Sequence, residues 1–122
     1  MTLRILAIDD SPTMRGLVSA ALAPHGFAVH LAEDGQQGLD QLGAADPHLV
    51  ITDLNMPRLD GFGVIEGVRA SPRHAKVPIL VLTTESGAEL KDRARRAGAT
   101  GWIVKPFDET RLVGTIRRVL GL

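Results

Sequence analysis

Asp9, Asp10, Asp53, Thr83 and Lys105 have side chains whose chemistry becomes coherent if the fold brings them together. Asp53 follows a short apolar run, Leu49-Val50-Ile51, bracketed by Pro47 before it and by Asn55, Pro57, Asp60 and Gly61 after it. Such a run reads as a strand buried on both faces of a parallel sheet. Sheets of that kind bind ligands outside the carboxyl ends of their strands, where Asp53 would stand. A carboxylate there is a weak nucleophile, yet it can attack phosphorus and form an aspartyl phosphate. Asp9 and Asp10 would add two more negative charges, and clustered carboxylates repel one another and favour a hard cation. Mg²⁺ suits such a site, because it takes few carboxylates and keeps several waters. The Thr83 hydroxyl and the Lys105 ammonium would then hold oxygens of a transferred phosphoryl group. Taken singly, each residue has a plainer reading as a turn cap, a solvated loop acid or an incidental strand-end side chain.

The elements that must position them alternate strand and helix along the chain. Residues 4–8 form an apolar strand ending in Asp9-Asp10; Ser11 suits an N-cap and Pro12 the first helical position. Met14, Leu17, Val18, Ala21 and Leu22 repeat at helical spacing and predict a buried stripe, which Pro24 and Gly26 stop. A second strand is expected over residues 27–32, then a weak helix from Asp34-Gly35 through Leu39 and Leu42 to Gly43. After Gly61, Phe62, Ile65 and Val68 mark a helix ending near Ser71-Pro72. Residues 79–82 form a fourth strand closed by Thr83, residues 88–97 a polar helix stopped by Gly98, and residues 102–104 a fifth strand running into Lys105-Pro106. A final helix over about residues 109–120 would bury Leu112, Val113, Ile116, Val119 and Leu120. Five βα units predict one α/β domain over residues 1–122, a five-stranded parallel sheet with helices on both faces.

Composition bounds the function. At 122 residues, 44% hydrophobic and 23% charged, the chain fits an ordinary globular domain. No apolar run reaches membrane-span length, no signal peptide opens the chain, and it has no cysteine. A cytoplasmic monomer with no membrane partner is expected. Net charge is zero, which argues against nucleic-acid binding. The charge is nonetheless polarised. Residues 1–61 hold three basic side chains against eight acidic ones, residues 62–86 three against two, and residues 87–122 eight against four. His25, His30, His48 and His74 stand at no metal-ligand spacing and read as surface or structural.

The order and identity of these residues resemble a receiver domain of two-component signalling, most of all the single-domain chemotaxis-type response regulator. The matching stretches are residues 8–15 (IDDSPTMR), 53–57 (DLNMP) with Asp60-Gly61, Thr83, and 101–107 (GWIVKPF). They span nearly the whole chain. The resemblance implies a flavodoxin-like (βα)5 fold with strand order 2-1-3-4-5. It implies Asp53 as phosphoacceptor from a phosphohistidine on a histidine kinase or phosphotransfer protein. Asp10, Asp53 and the Asn55 carbonyl would ligate Mg²⁺ directly, with Asp9 acting mostly through water. Lys105 would pair with the acceptor and then with a phosphoryl oxygen, and Thr83 would hydrogen-bond the phosphoryl group. The Lys105-Pro106 peptide would be cis.

Two positions depart from the commonest family pattern. The switch aromatic is Trp102 rather than Tyr or Phe, and Thr84 stands where a smaller residue is more usual. Thr83, Thr84, Trp102 and Pro106 form the expected switch. Lys91, Arg95 and Arg96, with Trp102 between the fourth and last helices, form the expected face for a downstream target, a motor or relay component, of acidic amphipathic character. Arg93, Arg111, Arg117 and Arg118 add to the basic character of those helices. With nothing after Leu122, no output domain is expected, and a phosphorelay shuttle or a phosphate sink fits as well. The protein would be no enzyme beyond its own phosphorylation and dephosphorylation. A metal-dependent phosphohydrolase would want a second Asp where Asn55 stands, and a flavin-binding module would want a Ser/Thr/Gly-rich loop where Asp9-Asp10-Ser11-Pro12 stands.

Overall fold

A computed structural model describes residues 2–122. In chain order the elements are β1 (Arg4–Ile8), α1 (Pro12–Leu22), a 3-10 turn (Ala23–His25), β2 (Ala28–Ala32), α2 (Gly35–Ala45) and β3 (Leu49–Thr52). They continue with α3 (Gly61–Ala70), β4 (Ile79–Thr83), α4 (Ala88–Ala97), β5 (Gly101–Val104) and α5 (Glu109–Val119). Side-chain caps explain most helix starts. Ser11 Oγ accepts the Met14 N–H at 3.2 Å, and carboxylates of Asp34, Asp60 and Asp108 do the same for α2, α3 and α5. Among the α-helices of the described residues, α4 alone begins without one, at Gly87. Its other end turns at Gly98, whose φ of 119° lies in the left-handed region that glycine adopts freely.

The strands pair in parallel in the order β2-β1-β3-β4-β5. Side chains alternate across this sheet and build two cores. Ile5, Ala7, Leu49, Ile51, Leu80 and Leu82 pack under α1 and α5. Leu6, Ile8, Val50, Ile79 and Val81 pack under α2, α3 and α4. Each fully buried Leu or Ile contributes about 1.5–3 kcal/mol, so the three central strands anchor the domain. The architecture is the doubly wound, flavodoxin-like one expected from the sequence, with element ends displaced by at most two residues.

Burial along the helices is less regular than the spacing predicts. Leu17 is 51% exposed and Met14 half-buried, although both lie on the apolar stripe of α1. They edge a surface groove with Pro106 and Phe107 instead of entering the core. Val119 and Leu120 are likewise only half-buried, resting on the core at the C-terminal end of α5. His74, read as surface or structural, is structural, 3% exposed with Nε2 2.9 Å from Asp46 Oδ1. Asp46 caps α2 at the sheet edge opposite the carboxyl ends and also meets Arg73 at 3.0 Å and Arg4 at 3.3 Å. The hydrogen bond from His74 holds its carboxyl below the ordinary range against the opposing effect of burial, and the charges of Arg73 and Arg4 assist.

Candidate functional site

The carboxyl ends of the strands place Asp9, Asp53 and Lys105 on one edge by extending the sheet ladder one residue. Asp9 N donates to Ala32 O at 3.1 Å, Asp53 N to Ile8 O at 3.0 Å and Lys105 N to Thr83 O at 2.8 Å. The backbones beneath Asp9, Asp53 and Lys105 are therefore held by the sheet, not by loops. Asp53 is fixed further. Its Oδ1 accepts the Leu54 N–H at 2.7 Å, and the Thr52 hydroxyl donates to its carbonyl at 2.8 Å. Gly61 passes so close beneath that an added Cβ would collide with the Asp53 carbonyl oxygen.

Lys105 joins two of the acids. Its Nζ donates to Asp53 Oδ2 at 2.8 Å and to Asp9 Oδ2 at 2.7 Å, with all three side chains at most 11% exposed. Burial alone would depress the ammonium, but the hydrogen bonds to Asp53 and Asp9, and then their charges, hold it above the usual lysine value. Asp9 Oδ1 accepts the Ser11 N–H at 2.9 Å and Arg15 grips the Asp9 carbonyl at 2.8 Å. Asp10 is exposed. One carboxylate oxygen each from Asp9, Asp10 and Asp53 lie within 4.8 Å of one another. Three carboxylates against one ammonium leave the cluster negative. An all-oxygen donor set of that charge fits a hard cation such as Mg²⁺ and gives no softer metal a ligand.

Thr83 is fully buried at the end of β4, and its Oγ1 accepts the Glu85 N–H at 3.4 Å. Thr84 is exposed. No motif in the sequence singles out Glu85, yet three elements meet on it. Besides Thr83, the Asn55 amide donates to its carboxylate at 3.1 Å and the Trp102 indole N–H to its main-chain carbonyl at 3.0 Å. The loop bearing Asn55 is braced on α2. Arg58, with φ 69°, pairs with Asp34 at 3.2 Å, and Gly35 admits the Leu59 carbonyl where any Cβ would collide. The Lys105-Pro106 peptide is cis.

Trp102 is half-buried and lines a pocket with Lys91, Ala94, Arg95, Ala99, Thr100 and Gly101. Lys91 and Arg95 border the aromatic, while Arg96 does not line this pocket. Arg95 and Arg96 both pair with Asp92, which reduces the free positive charge of the face.

Comparison with known proteins converges on one family. The response regulator receiver domain family matches residues 5–117. The chain is 38% identical over 121 residues to chemotaxis protein CheY1 of Helicobacter pylori, covering 98% of each. The solved structure of chemotaxis protein CheY4 of Vibrio cholerae superposes with a TM-score of 0.93 at 39% identity, over 98% of this chain and 99% of that one. The receiver domain of sensor histidine kinase PA1611 of Pseudomonas aeruginosa, with a magnesium ion coordinated in its active-site cleft, superposes with a TM-score of 0.91 at 26% identity over the whole of both chains.

Proposed function

Because this chain belongs to the response regulator receiver domain family, we propose that it is a phosphoacceptor switch that takes a phosphoryl group onto Asp53 and reports it through the α4–β5 face. The observation that carries the reading is the Lys105 ammonium bridging Asp53 and Asp9 at 2.8 and 2.7 Å beside a third carboxylate. A structural ion pair needs one acid; this ammonium holds two, with a third carboxylate beside them, at the end of a sheet.

Phosphoryl transfer asks for positioning and charge stabilisation more than covalent help. An Asp53 carboxylate oxygen attacks phosphorus, the bond from phosphorus to the donor's imidazole nitrogen breaks, and its electron pair leaves with the ring. Leu54 N–H and Lys105 Nζ hold the two carboxylate oxygens and fix the plane of the nucleophile before attack. Lys105 then follows the charge onto a phosphoryl oxygen, and the buried Thr83 hydroxyl donates to another. Asp10, Asp53 and the Asn55 carbonyl, with Asp9 through water, would hold Mg²⁺, which when bound supplies positive charge to the phosphoryl oxygens.

The modification adds about −1.5 to −2 charges to a site that is already negative. Thr83 and Glu85 are the nearest means of passing that change outward, since Glu85 also holds the indole of Trp102. Downstream, Trp102 with Lys91, Arg95 and Arg96 would receive an acidic amphipathic segment, and a histidine kinase or phosphotransfer protein would supply the phosphoryl group. Among the described residues no helix is long and apolar enough to cross a membrane, which fits a cytoplasmic place for this exchange. In acetyl phosphate and Mg²⁺ the protein should gain one base-labile phosphoryl group, and Asp53→Asn should abolish it. Labelling of Asp53→Asn at the wild-type rate would overturn the assignment.

A further inference from the structure

Arg69, in the last turn of α3, is a half-buried guanidinium with no carboxylate within ion-pairing distance among the described residues. Its N–H groups go to main-chain carbonyls. Nη1 donates to Ala75 O at 3.0 Å and Val77 O at 2.6 Å; Nε and Nη2 both donate to Gly98 O, at 3.1 and 2.7 Å. One side chain thus ties the end of α3 and the segment before β4 to the residue that terminates α4. Helix C-termini carry partial negative charge, and this guanidinium sits at the ends of two of them. Its planar fork presents five N–H donors in a fixed geometry, where an ammonium has three on a flexible stem.

The main chain at Gly98 comes this close because it is glycine. A Cβ there would lie 2.8 Å from Arg69 Nε, at a φ of +119°. The residues that follow are tied just as firmly. Ala99 N donates to Ala94 O at 2.9 Å, Thr100 N to Ile79 O at 2.7 Å, and Thr100 Oγ1 accepts Ile79 N at 3.0 Å. Ala99, Thr100 and Gly101 then form the wall of the Trp102 pocket. In mid-helix the Arg93 guanidinium lies 3.9 Å over the Phe62 ring, fastening α4 to α3 again. The opposite end of α4 has nothing comparable. Gly87 offers no side-chain cap, residues 86–89 are exposed, and the loop before them is held through the hydrogen bonds of Glu85.

We propose that Arg69 is a positioning residue of the α4–β5 face: by holding the Gly98 carbonyl it fixes the C-terminal end of α4 and the wall of the Trp102 pocket, leaving the Glu85 end as the part that moves. The second half of this statement rests on the phosphoacceptor reading; the first does not.

Amide hydrogen exchange on the full chain tests both halves, using Arg69→Met and Arg69→Lys. Without any phosphodonor, Arg69→Met should speed exchange of residues 98–102 by about tenfold while β1 and β3 keep their protection. Arg69→Lys, with its charge but not its fork, should fall between. Acetyl phosphate with Mg²⁺ should still label Asp53 in both variants within about twofold of wild type, since no contact of Arg69 reaches that site. In labelled wild type, exchange should change over residues 84–91 and not over 98–102; in labelled Arg69→Met the change should spread to 98–102. Unchanged protection of 98–102 in unlabelled Arg69→Met, or equal loss everywhere in both variants, would overturn the clasp. A labelled wild type that changes over 98–102 as much as over 84–91 would overturn the fixed end. Failure to label wild type at all would strike the phosphoacceptor reading and with it the moving end, while the unlabelled comparison still decides the clasp.

Discussion

The indole N–H of Trp102 donates to the main-chain carbonyl of Glu85 at 3.0 Å, which ties β5 to the loop leaving Thr83. Phenylalanine at this position would keep an aromatic ring and lose the donor. Trp102→Phe should therefore lower stability by about 0.5–1.5 kcal/mol, the usual net worth of one hydrogen bond. Labelling of Asp53 should stay within about twofold of wild type, because no catalytic contact is touched, while amides of residues 84–87 exchange faster. Unaltered exchange there would mean that the bond does not restrain the loop.

How much of this was legible in the sequence differs between fold and site. Short apolar runs preceded by Pro47 and Pro78 mark β3 and β4, since they are too short for helices and read as strands buried on both faces. The meeting of Asp9, Asp53 and Lys105 follows from topology, because parallel strands put all their carboxyl ends on one edge. Leu17 escaped because helical spacing marks the direction of a stripe, not whether a neighbour covers its margin. Glu85 and Arg69 escaped for another reason. Two of the hydrogen bonds at Glu85 use its own main-chain N–H and carbonyl, and those of Arg69 go to main-chain carbonyls, groups that every residue carries, so no pattern of residue types points to them. The knot on Asp46 joins residues 28 and 42 positions apart and becomes visible only when the chain is folded.

Gly61 should prove far less replaceable than its helical position suggests. In α3 an alanine would ordinarily help, yet here its Cβ would meet the Asp53 carbonyl oxygen and Leu54. Gly61→Ala should destabilise by about 1–3 kcal/mol and slow labelling by acetyl phosphate, because relief of the clash shifts Asp53. Gly43 in α2 is the control. An added Cβ there meets nothing within 4 Å, so Gly43→Ala should stabilise by about 0.5–1 kcal/mol. Denaturant melts and labelling rates read both, and a Gly61→Ala protein as stable and as reactive as wild type would contradict the close approach.

Acid should loosen the edge of the sheet opposite the acceptor. The folded Asp46 carboxyl lies below its ordinary value of 3.8, so the unfolded chain takes up the proton first as pH falls. The stability that Asp46 contributes is therefore fully present above that ordinary value and is lost as pH drops through the lower folded one. Asp46→Asn cannot titrate and should be less stable at neutral pH but show a shallower fall in melting temperature on acidification. Parallel acid profiles for the two proteins would show that the contacts with His74, Arg73 and Arg4 hold no ionised carboxylate of consequence.

Asp10 should oppose stability when no cation is added and support it when Mg²⁺ is present. Lys105 answers Asp53 and Asp9, but the exposed Asp10 contributes a third carboxylate oxygen within 4.8 Å of theirs. Like charges at that separation cost about 1–3 kcal/mol at the dielectric of a protein surface, less once solvent and salt screen an exposed group. Asp10→Asn relieves that repulsion and breaks no ion pair, so in metal-free buffer it should gain about 0.5–1 kcal/mol. Asp9→Asn should go the other way, since Asp9 holds both Lys105 and the Ser11 N–H. Adding Mg²⁺ stabilises whichever protein binds it, by RT ln(1 + [Mg²⁺]/Kd). Wild type should therefore rise with Mg²⁺ and overtake Asp10→Asn, whose stability stays nearly flat. Urea melts across a Mg²⁺ titration give both curves. If they ran parallel, Asp10 would be no ligand, and the negative charge of the site would serve some purpose other than holding a cation.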